Sequence, residues 1–384
     1  MTMDRRAFLK LASAVPFAGV YRLAHAAAVP EARKLLVLIE LRGGNDGLNT
    51  VIPYDDPQYA RLRPRLAIAR DQVVQLTERA GLHPSLEKLR ALWDARELAV
   101  VQGVGYPQPN LSHFRSIEIW DTASKSDEYL DTGWLARAFA ISPSPSTFAA
   151  DGVVVGPGAM GPLSGGSVRA IALSNPEQFL RNTRLARAGG ASSNPALAHI
   201  LRIERDVVLS AERLHAGRKF ATEFPAGAFG DAVNTAAQLA ANEAGIAVVR
   251  LSLGSFDTHA NQQGTHANLL RQLGDGLAAL REAFVEVDRW RSTVVATYAE
   301  FGRRPRENQS GGTDHGASST HFVLGGAVKG GLYGAPPALD RLDGNGNLPF
   351  AVDFRAYYAS FLERWWGIDS APVMGSKFKP LDFI

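Results

Sequence analysis

Leu35-Leu36-Val37-Leu38-Ile39, followed within a few residues by Arg42-Gly43-Gly44-Asn45-Asp46-Gly47, decides how this chain folds. Five consecutive apolar residues leave no face for water, the pattern of a strand buried on both sides in a parallel sheet covered by helices. The glycine-rich turn then sets a carboxylate, Asp46, just beyond the strand, where an open α/β sheet gathers its chemistry. The same grammar repeats along the chain. Pro84 opens a helix carrying Leu86, Leu89, Leu92 and Trp93 at helical spacing, and Leu98 to Val101 resumes as a strand ending at Gly103 and Gly105. Further on, a helix over about Asp231 to Glu243 precedes the strand Ile246 to Leu251, and a long amphipathic helix from about His266 to Trp290 leads into Thr293-Val294-Val295-Ala296-Thr297. A short strand, His321 to Leu324, and a helix from Asp353 to Trp366 follow. Alternating strands and helices predict an α/β three-layer sandwich with a mostly parallel central sheet and right-handed crossovers.

Ahead of this pattern stand Asp4-Arg5-Arg6-Ala7-Phe8-Leu9-Lys10, the apolar run Leu11 to Val20 and Ala24-His25-Ala26. They read as a twin-arginine signal peptide over residues 1–26, with cleavage near Ala27. The run is far shorter than the roughly 20 residues that span a bilayer, so the expectation is no stable membrane span, passage through the twin-arginine export machinery, and a periplasmic or secreted protein. Residues 27–384 are then expected to form a single α/β domain with an irregular insertion or cap at about 122–230. There Ser142-Pro143-Ser144-Pro145-Ser146 and Gly190 to Asn194 read as loops and Pro195 to Arg218 as a helix.

Charge and composition narrow the chemistry. Arg5, Arg6, Lys10 and Arg22 against Asp4 give the leader a net charge of +3, equal to that of the whole chain, so the remainder is formally neutral. No basic stripe follows, which argues against nucleic acid as a partner. The chain has no cysteine, which excludes disulfides, thiolate nucleophiles and thiolate-bound metals. Any metal must sit among nitrogen and oxygen ligands.

Several fragments offer such ligands. Asp257 and His259 lie two apart beyond a buried strand, so in an extended segment they point to the same side and can share one cation. Glu300 follows the strand ending near Thr297; it reads either as a ligand or as a partner of Arg303 or Arg304, and Arg303 reads also as a fork for an anionic substrate oxygen. Asp314 and His315 sit in Ser310-Gly311-Gly312-Thr313-Asp314-His315-Gly316, too glycine-rich for a core element, with Asp314 able to orient an imidazole. Ser112 and Asn110 are natural helix N-caps, and Ser112 at a helix start also suits a nucleophile that develops negative charge. Gly156-Pro157-Gly158-Ala159-Met160-Gly161 matches a dinucleotide fingerprint in letters only, since Pro157 and Pro162 block the helix it must open. No P-loop and no G-x-S-x-G elbow occur, and His83, His199 and His215 read as structural.

Leu41-Arg42-Gly43-Gly44-Asn45-Asp46-Gly47-Leu48-Asn49, Gly103-Val104-Gly105-Tyr106-Pro107, Ser112-His113-Phe114, Phe256-Asp257-Thr258-His259, Glu300-Phe301-Gly302-Arg303 and Gly312-Thr313-Asp314-His315-Gly316 together resemble the twin-arginine-exported bacterial family known as domain of unknown function 1501. That family is distantly similar to the alkaline phosphatase/sulfatase superfamily. The resemblance implies a sandwich in which metal sites flank a Ser, Thr or formylglycine nucleophile. It assigns Asp257, His259 and His315 to one ion, Asp46 and Glu300 to a second, and Ser112 to the nucleophile, with His113, Arg115 or Arg303 balancing charge on the transferring group. The chain departs from the superfamily in having Glu300-Phe301 where Asp-His is usual, and the missing cysteine excludes formylglycine made from it. The expected function is a metal-dependent hydrolase of phosphate or sulfate esters, small-molecule or polysaccharide, using one or two divalent ions (Zn, Mn, Mg or Ca). The alternative is a non-catalytic exported scaffold or polysaccharide-binding protein, with Trp134, Trp365 and Trp366 as sugar-stacking faces.

Overall fold

Every residue of the first apolar run is buried, because the strand it forms, β1 (Leu35–Leu41), lies inside a sheet and beneath helices on both sides. The computed structural model describes residues 34–173, 218–242 and 245–384. The signal segment, the loop from Gly190 to Asn194, nearly all of the helix expected from Pro195 to Arg218, and His199 and His215 lie outside the described residues. Nine strands make the main sheet: β1, β2 (Leu98–Gly105), β3 (Ala150–Val155), β4 (Ala170–Leu173), β5 (Ile246–Leu253), β6 (Thr293–Tyr298), β7 (Ser319–Leu324), β8 (Gly331–Tyr333) and β9 (Val352–Asp353). Their order is β8-β2-β7-β6-β1-β5-β3-β4, with β9 also paired to β2. All pairings are parallel except those of β7, which runs antiparallel to both β2 and β6.

The longer helices include α1 (His113–Thr122), α2 (Trp134–Ile141), α3 (Ala228–Ala241), α4 (Gln262–Glu286) and α5 (Phe354–Ala359), the last continuing as a π-helix over Ser360–Trp366. Strand alternation divides the core between them. Leu35, Val37, Ile39 and Leu41 pack with α3, α4 and the Leu86-Leu89-Leu92 face, whereas Leu36 and Leu38 pack with α1, α2 and α5. Each fully buried Leu, Val or Ile contributes about 1.5–3 kcal/mol, so this central strand is the main anchor of both layers.

Sequence and structure part company in several places. The long helix begins four residues earlier than its periodicity predicts, because Asn261 takes a left-handed turn (φ 47°) that starts it at Gln262; Asp288 (φ 52°) lies just beyond its end. The segment from Pro84 is a 3₁₀-helix to Leu89 and becomes an α-helix only over Arg90–Asp94. Within the described part of 122–230, β3 pairs with β5 and β4 with β3, so these strands widen the sheet itself. Thr313–Gly316, expected to be loop, pairs with Gly302–Glu307 as a two-stranded ribbon. Trp134, Trp365 and Trp366 are buried in the core beneath α2 and α5 and present no face to a sugar.

Three histidines are buried away from any metal site. Burial pushes His83 and His266 down to about 4, and His321, which has no hydrogen-bond partner among the described residues, to about 3. The unfolded chain titrates such groups near 6.5, so it takes up protons that the folded chain refuses, and stability falls as pH drops from about 6.5 towards 4. Urea midpoints between pH 7 and pH 4 should decline steadily, and His321→Phe should flatten part of that slope; a flat wild-type profile would contradict the assignment.

Candidate metal centre

Three neighbouring strands deliver their ends to one edge: β1 into Arg42–Asn45, β5 into Gly254–His259 and β6 into Glu300. Arg42 N donates to Leu253 O (3.0 Å) and Phe256 N to Arg42 O (3.1 Å), stitching the first two turns together. A Cβ at Gly43 (φ 114°) would lie 2.4 Å from Asp257 N, and one at Gly312 would lie 2.3 Å from the carbonyl carbon of His259. Only glycine lets the main chain close so tightly on the Asp257–His259 segment.

Three imidazoles meet at Asp257. His259 Nε2 is 3.0 Å and His315 Nε2 3.2 Å from Asp257 Oδ1, and His113 Nε2 is 3.4 Å from Oδ2. His259 Nε2 and His315 Nε2 are 3.0 Å apart. Ligand atoms of His113, Asp257 and His315 all fall within 4.8 Å of one another. The tautomers follow from the far sides of the rings. His315 Nδ1 is 2.8 Å from Leu111 O and His113 Nδ1 is 2.9 Å from Glu300 Oε1; both partners only accept, so both Nδ1 atoms carry the proton. In their neutral forms, His315 and His113 therefore turn bare Nε2 lone pairs towards a carboxylate, acceptor against acceptor. A cation among them resolves that opposition, and backbone- or carboxylate-oriented imidazoles with one carboxylate form a donor set that suits Zn²⁺.

The electrostatics favour deprotonated ligands. Asp257 is held at about 2: desolvation opposes this, but the hydrogen bond and charge of Arg303, with His315 and His259 close by, prevail. The His315 imidazole is pushed below its ordinary value, first by desolvation and further by the charges of Arg303 and His113, against the raising effects of Leu111 and Asp257. Behind His113, Glu300 is 2% exposed; its Oε1 also accepts from Gly43 N (2.8 Å), while Oε2 is buried with no partner among the described residues.

The remaining candidates are placed differently from their sequence readings. Asp46 does not join Glu300: it is 1% exposed, and its oxygens are taken by Arg63 (Nη1 to Oδ2 2.6 Å, Nη2 to Oδ1 2.9 Å) and by Gln262 (2.5 Å). A carboxylate neutralised by a buried guanidinium has little to give a second ion. Arg303 is not open to substrate; its donors go to the carbonyls of Gly43, Gly44, Phe256 and Thr313 and to Asp257 Oδ1 (2.7 Å), so it anchors the metal-facing carboxylate from beneath. Arg115 points away, bonding Lys125 O, Ser126 O and Glu128 O and lying 3.8 Å from the Tyr129 ring centroid. Asp314 stands beside His259, Oδ1 to Nδ1 3.7 Å, rather than among the converging atoms. Ser112 is the exposed N-cap residue of α1, and its hydroxyl makes no capping bond.

Sequence reasoning assigned His113 to charge balance; the start of α1 instead aims its Nε2 into the group. It missed Arg63 altogether, and nothing local to Arg63 signals a partner 17 positions earlier.

Several known proteins are similar to this chain. No curated protein sequence matches it. Among solved structures it is similar to the lipoteichoic acid synthase LtaP from Listeria monocytogenes, at 10% identity and TM-score 0.42, covering 90% of this chain and 74% of that one. It is similar to Ps i-CgsB, solved in complex with k-i-k-neocarrahexaose, at 10% identity and TM-score 0.41, covering 90% of this chain and 72% of that one. A protein in the alkaline phosphatase superfamily from Vibrio parahaemolyticus is similar at 9% identity and TM-score 0.36, over 78% of this chain and 62% of that one. A family model described as "Protein of unknown function (DUF1501)" matches residues 99–375, from β2 to the last helical turns, and the chain belongs to that family.

Proposed function

We propose that this chain is an exported, metal-dependent hydrolase of phosphate or sulfate esters, working from a single α/β domain behind a cleaved twin-arginine leader. The observation that carries the reading is the convergence of the His113, His259 and His315 Nε2 atoms on Asp257, with the exposed Ser112 one position before His113 at the start of α1. His113, Asp257 and His315 would hold a divalent cation, with His259 beside them, and the ion would supply charge neutralisation for the ester oxygens and acidify water or a hydroxyl group. One ion fits this donor set; the pairing of Asp46 with Arg63 speaks against a second.

The chain's own residues do the rest. Arg303 fixes the Asp257 carboxylate, and Glu300 holds a His113 proton on Nδ1, which leaves the Nε2 lone pair for an ion. Ser112 stands at the N-terminus of α1, where unpaired backbone N–H groups favour the negative charge an attacking oxygen develops. Phe114, 89% exposed and two residues beyond Ser112, offers an apolar face to the organic part of the ester. Replacing it with Ser should raise KM roughly tenfold with kcat little changed, as expected for loss of uniform binding.

The direct test is the metal content of protein purified without added metal, followed by assays on aryl phosphate, phosphodiester and sulfate esters with Ser112→Ala and His315→Ala beside the wild type. Metal-free protein that turns over no ester after reconstitution sinks the hydrolase reading. Unchanged activity in Ser112→Ala assigns the attack to water instead of the serine. The Asp46–Arg63 pair also favours a second reading, an exported polysaccharide-binding scaffold on a hydrolase-like fold, which predicts metal binding without turnover.

A further inference from the structure

Away from the metal centre, a cavity of about 480 Å³ opens between the small sheet of Val51–Ile52, Val74–Gln75 and Gly81–Leu82, the strand β2, and the segment from Leu332 to Pro337. It shares no lining residue with the histidine cluster, and its size lies in the range of small-molecule pockets. Its walls are apolar, chiefly Pro53, Leu332, Pro336 and Pro337. At the floor lies Gln102, 5% exposed, whose carboxamide makes no hydrogen bond among the described residues. No other side chain among the described residues claims this amide, and its polar atoms are open to the cavity, so a ligand's polar group can pair with it. The rim holds Asp55, Asp56 and Glu78 against the single cation Arg79. Asp56 is committed to capping, accepting from Gln58 N (2.8 Å), but Asp55 and Glu78 have neither ion pair nor hydrogen bond among the described residues.

We infer that this cavity is a binding site for a small amphiphilic cation, an ammonium or guanidinium on an apolar stem. The prolines and Leu332 take the stem, the Gln102 carboxamide accepts one N–H, and Asp55 and Glu78 face the charge. An anion is disfavoured by the rim. A wholly apolar ligand would seal the Gln102 amide away from any partner, which is the costly outcome for a buried polar group.

Calorimetry on the full chain in chelator, so that no metal competes for the amine, decides the matter with hexylamine, hexanol and hexanoate as probes. The expected result is hexylamine binding at least roughly tenfold more tightly than the other two, weakening as salt is raised. The exposed-carboxylate double variant Asp55→Asn with Glu78→Gln should keep the wild-type melting temperature and lose about tenfold in hexylamine affinity. Gln102→Leu should weaken hexylamine while leaving hexanol unchanged or improved, and His315→Ala should bind hexylamine like the wild type. Equal affinity for the three probes, wild-type affinity in the double variant, or no binding of hexylamine at about 10 mM overturns the inference.

Discussion

His315→Ala should bind Zn²⁺ or Mn²⁺ roughly 100-fold or more weakly than the wild type, a loss larger than the 10–100-fold that follows removal of a residue merely orienting a ligand. The expectation rests on the orientation of the ring: with Nδ1 committed to Leu111 O, Nε2 is the sole atom His315 can offer an ion, and no neighbouring side chain replaces it. Glu300→Gln, which leaves every converging atom in place but weakens the hold on the His113 proton, should fall in the smaller range. Asp46→Asn provides the control. If Asp46 were a ligand its affinity for metal would collapse; because the carboxylate is spent on Arg63, metal titrations of Asp46→Asn should match the wild type while its stability drops. A wild-type titration curve from His315→Ala, or a collapsed one from Asp46→Asn, reverses the assignment of the site.

Arg63→Ala should be the most destabilising of the single substitutions considered, by about 3–5 kcal/mol in urea unfolding, because it strands a buried carboxylate without its partner. Arg63 is fully buried, and besides Asp46 it donates to Asn49 Oδ1 (2.7 Å), Pro305 O (2.8 Å) and Arg304 O (3.1 Å), so it ties the first turn to the ribbon from Gly302. Burial alone would raise the Asp46 carboxyl; the charge and fork of Arg63, with help from His266 and Gln262, bring it below its ordinary 3.8. A carboxyl lowered on folding stabilises above its unfolded value and loses that contribution as pH falls through the folded one. The difference between wild type and Arg63→Ala should therefore be full at neutral pH and shrink only below about pH 4. A loss under 1 kcal/mol at pH 7 would mean that water already reaches the pair.

The layers of this fold were readable because burial on both faces writes itself into sequence as an unbroken apolar run, as in Leu35 to Ile39. The direction of β7 was not readable, since His321-Phe322-Val323-Leu324 looks the same whichever way it enters a sheet. The convergence of Asp257, His259 and His315 was legible from donor types at strand ends, and the part played by His113 was not, because it depends on where the first turn of α1 points. Arg115, Arg303 and Asp46 were misread for one common reason. Their partners are mostly main-chain carbonyls or a residue remote in sequence, and a backbone carbonyl has no letter in the sequence. The burial of Trp134, Trp365 and Trp366 follows the commoner use of that side chain.

Gly43 and Gly312 bring main chain tightly against the Asp257–His259 segment from two sides. The path of the backbone there is fixed from both sides, while Asp257 also answers the buried Arg303, so residue 259 is the one that can be exchanged without the segment losing its seat. A designer could in this way keep the socket and retune the ion it seats by rewriting the one letter at position 259.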